Sequence, residues 1–283
     1  MEVIRPSTLA EALEARAAHP DALPIAGGTD VMVELNFDKA RPPAILDLTG
    51  VGEIATIERS DGAVRIGAGV PYTRVIAETG ELLPALAQAS RTVGSPQIRN
   101  RGTIGGNLGT ASPAGDAHPP LLAAGAAAEV ASTRGTRTIP AGDFFLGPGC
   151  SALEPDELVV AITVPVAGGR EQFAKIGTRN AMVIAVCSFA VRIDPDRRRV
   201  GTGIGSAGPT PLRATEAEEF LAGLLDERDA WHADRPIDAT ARARFGELVA
   251  AASRPIDDHR GTAAYRRHAL GVLAARTLGW ACG

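Results

Sequence analysis

Near residue 167 the patterning of this chain changes, and the break limits how the chain can be assembled. Ahead of it, short apolar runs of strand length alternate with segments of helical period. Behind it, three strand-like runs come first and three helical segments follow. No internal repeat is visible, so the two styles belong to different structural units rather than to copies of one. A smaller change near residue 55 divides the leading part again, which predicts units at 1–55, 56–167 and 168–283.

The first unit opens on Thr8-Leu9-Ala10-Glu11, the spacing of a helix N-terminal capping box, with Leu9, Ala12, Leu13 and Ala17 following at helical period. A short strand ending in Pro24-Ile25-Ala26, a helix from Asp30 towards Phe37 and a strand at Ile45 to Leu48 complete it. In the second unit, Val64 to Ala68 alternates like a half-buried strand, and Pro71 suits the first turn of a helix reaching Thr79. Leu82 to Val93 predicts another helix. A long ordered loop rich in Gly, Asn, Ser and Pro is expected from Gly94 to Pro120, and such loops in compact domains carry function. Leu121 to Ala124, Glu129 to Ser132 and Leu158 to Val164 are further helix or strand segments. In the third unit, Phe173 to Ile176, Val183 to Ile193 and Val200 to Ser206 are expected as antiparallel strands turning at Asp194-Pro195-Asp196, with helices at Thr215–Leu225, Ala239–Ala252 and Ala263–Trp280.

Several functions are excluded. Net charge is −4 and arginine is scattered, so there is no basic face for nucleic acid. Arg197-Arg198-Arg199 is expected in a turn, and Arg266-Arg267 on a solvated helix face. The most apolar stretch, Pro119 to Ala128, is broken by Glu129 and falls far short of the ~20 residues of a membrane span. Met1 to Pro6 shows no basic-then-apolar leader, so a cytoplasmic protein is expected. Cys150, Cys187 and Cys282 are widely separated, and the five histidines form no ligand spacing; no metal site is expected, and the histidines are expected in turns or on the surface.

Two glycine-rich segments carry what chemistry is legible. Ile25-Ala26-Gly27-Gly28-Thr29-Asp30 sits between a strand and a helix, and Thr103-Ile104-Gly105-Gly106-Asn107 lies within the long loop. Glycine lets a backbone adopt positive φ and approach a ligand with no Cβ in the way. Successive N–H groups at such turns make a concave surface for anions, so two such loops could grip a diphosphate from both sides. Neither matches Gly-x-Gly-x-x-Gly or the Gly-x-x-x-x-Gly-Lys-Ser/Thr phosphate loop, and a turn of purely structural meaning is the alternative for each.

The segment Gln97-Ile98-Arg99-Asn100-Arg101-Gly102-Thr103-Ile104-Gly105-Gly106-Asn107, continued by Ala111-Ser112-Pro113-Ala114-Gly115-Asp116, resembles the flavin subunits of the xanthine dehydrogenase and carbon monoxide dehydrogenase family. So do Ala26 to Asp30, Pro155-Asp156-Glu157-Leu158-Val159, and Asp258-His259-Arg260-Gly261-Thr262-Ala263-Ala264-Tyr265-Arg266-Arg267-His268. The resemblance runs from about residue 3 to 280, in order.

It implies an α+β fold: two sub-domains of the vanillyl-alcohol-oxidase (PCMH) type clamping FAD, then a C-terminal domain of a small antiparallel sheet and helices. It implies that Ile25, Ala26, Gly27, Gly28, Thr29 and Asp30 contact the FAD diphosphate and ribityl chain. Thr103, Ile104, Gly105, Gly106 and Asn107, with Thr110, would close from the other side. Asp116 would anchor the cofactor, Leu158 and Val159 would pack on the flavin, and Lys175 would lie near the ring and favour negative charge on its reduced form. Relatives that attach FAD covalently do so through a histidine in the first loop; Thr29 follows Gly28 here, so non-covalent FAD is implied.

The resemblance also implies partners: a large molybdopterin subunit that hydroxylates substrate and a small subunit with 2Fe–2S clusters that relays electrons. This chain would pass those electrons to NAD or another acceptor, and no catalytic residue of its own is expected. The loop Phe144 to Gly149 and the Thr29-Asp30 pair resemble the N-heteroaromatic (xanthine-like) branch. A carbon monoxide or aldehyde dehydrogenase medium subunit, and a self-sufficient flavin oxidoreductase, are the alternatives.

Overall fold

The computed structural model describes residues 1–60, 62–232 and 235–283. Its first unit runs β1 (Glu2–Ile4), α1 (Leu9–Ala18), β2 (Leu23–Ile25), α2 (Val31–Asn36) and β3 (Ala44–Asp47). The three strands form a parallel sheet in the order β1-β3-β2. Parallel neighbours need crossovers, and α1 and α2 supply them. Thr8 caps α1 by accepting from the Glu11 N–H, and the Glu11 carboxylate accepts from the backbone and hydroxyl of Ser7 at 2.8 Å, one residue earlier than a capping box would place it.

The second unit comprises β4 (Ile57–Ser60), β5 (Ala63–Gly67), α3 (Tyr72–Thr79), α4 (Pro84–Thr92), α5 (Pro96–Arg101), α6 (Ile104–Thr110), α7 (His118–Ala124), β6 (Ala127–Ser132), β7 (Gly135–Pro140), α8 (Ala141–Phe144), β8 (Phe145–Gly147), β9 (Cys150–Ser151) and β10 (Leu158–Pro165). An antiparallel sheet in the order β4-β5-β10-β6-β7 holds it together. β10 is central and buried on both faces, with an irregularity in its pairing to β6 between Val159 and Ala161. That shift changes which residues share a face. Leu158 and Val160 join Ala12, Leu46 and Ile54 in the core of the first unit, whereas Val159, Ile162 and Val164 join Ile66, Ile104 and Leu108 in the core of the second.

The stretch 94–120 is not the loop that its Gly and Pro content predicts. Ser95 caps α5, whose first residue is Pro96, and Thr103 caps α6. Pro119 and Pro120 lie in the first turn of α7, where a missing N–H costs nothing. Capping residues and N-terminal prolines outweigh glycine's low helix propensity over such short helices.

The third unit is a meander of β11 (Arg170–Ile176), β12 (Cys187–Asp194) and β13 (Arg199–Gly205), then α9 (Thr215–Glu227), α10 (Ala239–Ala252) and α11 (Ala263–Ala281). Residues 177–186, partly expected in strand, lie outside it. All eight residues of β12 are buried, because its sheet is covered twice. Phe189, Val191 and Ile204 pack on Leu221, Phe245 and Leu270 of the three helices. On the other face Phe173 and Ala190 meet Ala85, Ala89 and Ala123 of α4 and α7. Arg266, expected in solvent, is buried there: it donates to Ser206 O at 2.7 Å and to Asp258 at 2.5 Å, tying α11 to the end of β13. No helix among the described residues is long and apolar enough to cross a membrane, and no group of residues among them could hold a metal ion.

Candidate functional site

The two glycine segments come together at the junction of the first and second units. Beyond Ile25 the chain turns through Gly28 at φ +76°, a conformation that side-chain-bearing residues rarely adopt. Gly27 is pressed on the last turn of α5: a Cβ there would lie 2.0 Å from Arg101 O. The carbonyls of Gly28 and Asp30 start α2 by accepting from Met32, Val33 and Glu34. The N–H groups of Gly27, Gly28, Thr29 and Asp30 donate to no group among the described residues, on a half-buried to exposed turn.

The second segment offers something different. Its backbone donors are already used: Ile104 N–H on Val70 O, Gly105 N–H on Ala68 O, Gly106 N–H on Thr103 Oγ1 and Asn107 N–H on Thr103 O. Gly105 is buried with no room for a side chain, since a Cβ would lie 2.4 Å from that of Ala68. Gly106 and Gly109 are exposed on one face of α6; a Cβ at Gly106 would meet only Thr103 Oγ1 at 3.1 Å, and one at Gly109 would meet nothing within 4 Å. The result is a bare strip of helix backbone. Thr110 joins the segments by donating from Oγ1 to Asp30 Oδ2 at 3.0 Å.

With the strip stand Asn107, which the sequence singled out, and Tyr72 and His118, which it did not. Asn107 Oδ1 and Tyr72 OH are buried without a hydrogen-bond partner among the described residues, so their desolvation is not offset there. His118, expected at the surface, is fully buried at the start of α7 against Phe145, 4.3 Å between ring centroids. Burial pulls the imidazole down to about 4, so it is neutral. Its Nε2 lies 3.2 Å from Asn107 O, to which the tautomer protonated at Nε2 donates. The other four histidines are exposed, as expected. The signal for His118 was its position, two residues after Asp116 and just before two prolines at a helix start.

Asp116 and Lys175 form a buried pair at 2.5 Å that spans the second and third units. Thr92 completes it, donating from its hydroxyl to Asp116 Oδ2 at 3.0 Å and accepting from Lys175 Nζ at its carbonyl, 3.3 Å away. Burial raises the Asp116 carboxyl from its ordinary value, with Lys175 and Thr92 pulling the other way. Asp116 Oδ1 is left without a hydrogen-bond partner among the described residues. Lys175 also lines a cavity of about 330 Å³ with Thr92, Ser95, Arg99 and Arg179. α5 connects the two places: Arg101 lies on Gly27, while Ser95 and Pro96 line the cavity, so about 9 Å of helix separates them. Leu158 and Val159 are brought to neither. Both are enclosed by protein, in different cores, supporting the first loop's sheet and α6 respectively.

Free N–H groups at one end, a bare strip beside them and orphaned polar atoms alongside suit an elongated ligand bearing both phosphate and hydroxyl or amide groups. The donor set fits a flavin dinucleotide. Residues 1–167 match the family model described as FAD binding domain in molybdopterin dehydrogenase, and residues 172–281 match the CO dehydrogenase flavoprotein C-terminal domain. The chain is 31% identical to the xanthine dehydrogenase FAD-binding subunit of Escherichia coli O157:H7, over 97% of this chain and 93% of that one. It is 34% identical to the nicotinate dehydrogenase FAD-subunit of Eubacterium barkeri, over 83% of this chain and 84% of that one. The solved reconstituted CO dehydrogenase from Oligotropha carboxidovorans superimposes with a TM-score of 0.90 at 29% identity, over 99% of this chain and 97% of that one.

Proposed function

Because this chain belongs to the FAD-binding subunits of the molybdopterin dehydrogenases, the molybdenum hydroxylases, we propose that it holds FAD non-covalently between its two glycine segments and passes electrons from a partner's iron–sulfur clusters to NAD. The observation that carries the placement is the joining of free donors to a bare strip. The N–H groups of Gly27 to Asp30 face a diphosphate, and Gly106 and Gly109 let the cofactor lie on α6. Asn107 and Thr110 hydrogen-bond along it, with Ile25 and Ala26 leading into the turn and Thr103, Ile104 and Gly105 holding α6 in place. The ring end lies in the cavity beside Lys175, with Asp116 orienting the ammonium and supplying a further acceptor. Leu158 and Val159 act from behind, through the cores that carry the two segments.

When bound, the flavin supplies the exchange between two-electron and one-electron transfer, and the protein's part is binding, orientation and electrostatics. A large molybdopterin chain and a small 2Fe–2S chain are the proposed partners. An N-heteroaromatic compound is the proposed substrate of the assembled enzyme, in keeping with relatives named for xanthine and nicotinate.

The test is Gly106→Val. Gly106 is exposed and a Cβ there meets only Thr103 Oγ1, at 3.1 Å, so the fold is expected to survive a small shift of that hydroxyl while flavin retention falls at least about tenfold, a loss of about 1.4 kcal/mol of binding. Absorbance of the purified chain, with the released chromophore identified, reads the flavin content, and thermal melting of the apoprotein reads the fold. A variant that melts normally and purifies fully yellow would sink the placement. NADH added to the wild-type protein should bleach the visible flavin band; no bleaching would remove NAD as the acceptor.

A further inference from the structure

A second cavity, of about 140 Å³, lies away from the flavin site where the second and third units meet, lined by Ala123, Ala124, Pro165, Arg192, Asp194, Arg197, Arg199 and Gly201. Three arginines are among the residues that line it. Arg192, on β12, is 4% exposed; its Nη1 donates to Pro165 O at 2.7 Å and lies 3.2 Å from Glu171 Oε1, while its Nη2 is buried with no partner among the described residues. Arg197 is held by Asp194, which accepts from its backbone N–H and its Nη1, both at 3.1 Å. Arg199, exposed at the start of β13, has no hydrogen-bond or ion-pair partner among the described residues and leans over Gly125 at the end of α7. The charges do not cancel: three guanidinium groups face two carboxylates, those of Asp194 and Glu171.

An arrangement of this kind is costly without a counter-ion, since like charges repel and a buried N–H donor goes unmatched. We propose that the cavity is a binding site for a small phosphate-type oxyanion that bridges the second and third units. A water molecule takes about 30 Å³ of liquid volume, so the cavity has room for an oxyanion of about five heavy atoms. Arg192 Nη2 and the Arg199 fork would donate to it, with Arg197 completing the field. The carboxylate of Asp194 stays on Arg197, so the anion takes the donors that this acceptor leaves over. The site does not depend on the flavin placement, and its ligand would lock β12 and β13 to Pro165 and α7.

The experiment is thermal melting and titration calorimetry of the FAD-loaded full chain with inorganic phosphate, against chloride at matched ionic strength. One phosphate per chain and a phosphate-specific rise of several degrees in Tm are expected, as ligand linkage requires. Arg199→Ala, an exposed substitution, should abolish both and leave the flavin content unchanged. Equal melting in phosphate and chloride overturns the proposal, as does a phosphate response that survives Arg199→Ala. Loading the chain with FAD first keeps the diphosphate loop occupied, so a response lost in apoprotein variants of that loop but kept in Arg199→Ala would belong to the flavin site and also overturns it.

Discussion

At Gly27 and Gly105 the fold itself demands glycine, since a Cβ would strike Arg101 O or Ala68. Gly28 is demanded by its dihedral. Gly106 and Gly109 are demanded by nothing so close within the chain, and residues left bare on an exposed face point to an outside ligand. His118 shows how much a single position can depend on burial. The imidazole falls from its ordinary 6.5 to about 4 in the folded chain, so the unfolded chain takes up a proton at a higher pH than the folded one. Its contribution is complete above about pH 6.5 and is lost as pH falls towards 4, amounting to about 3 kcal/mol by linkage. Denaturant unfolding at both ends of that window should show the wild type losing about 3 kcal/mol more than His118→Gln, which has nothing to protonate. Parallel losses in the two proteins would mean that the ring is protonated or solvated in the fold.

Among the elements, β11 is the one that ties the C-terminal sheet to the proposed flavin site. It presents Lys175 to Asp116 ahead of α7 and to Thr92 at the end of α4, and its Phe173 N–H donates to Gln88 Oε1 at 2.7 Å. Removing one member of a buried ion pair leaves the other charge without compensation, at a cost of about 3–5 kcal/mol, whereas removing both is far milder. Lys175→Met alone should therefore destabilise by about 3 kcal/mol or more, and Lys175→Met with Asp116→Leu should recover most of it. Flavin content separates support from contact. The double variant is expected to regain its melting temperature but not its flavin; full recovery of both would reduce the pair to a strut. The Arg266 clamp on Asp258 and Ser206 does the equivalent work for α11, and it buries one charged side chain of a motif that is otherwise half-buried or exposed.

For the whole molecule the decisive contact is β13 laid flat on α7. A Cβ at Gly201 or Gly203 would come within 2.0 Å of Ala123 O or Pro119 O, so only glycine permits that approach. Gly203→Ala should push the two apart, costing about 3 kcal/mol, and should also weaken flavin retention, because Pro119, which it would displace, directly follows His118 at the end of α7 that Asp116 leads into. Calorimetry with a flavin assay checks this; an unchanged Tm would show that the two units are not coupled there. The change of style near residue 167, many of the strands and helices outside 94–120, and both glycine segments were legible in the sequence by itself, because periodicity, caps and turn residues are local properties. It could not supply the helices at 96–110, where capping overrode glycine content, nor the burial of His118 and Arg266. Nor could it tell that α6 has already spent its N–H groups on Val70, Ala68 and Thr103 while the first loop keeps its own free. Those facts belong to the tertiary structure, because whether a group is buried, paired or bare depends on which distant segment packs against it.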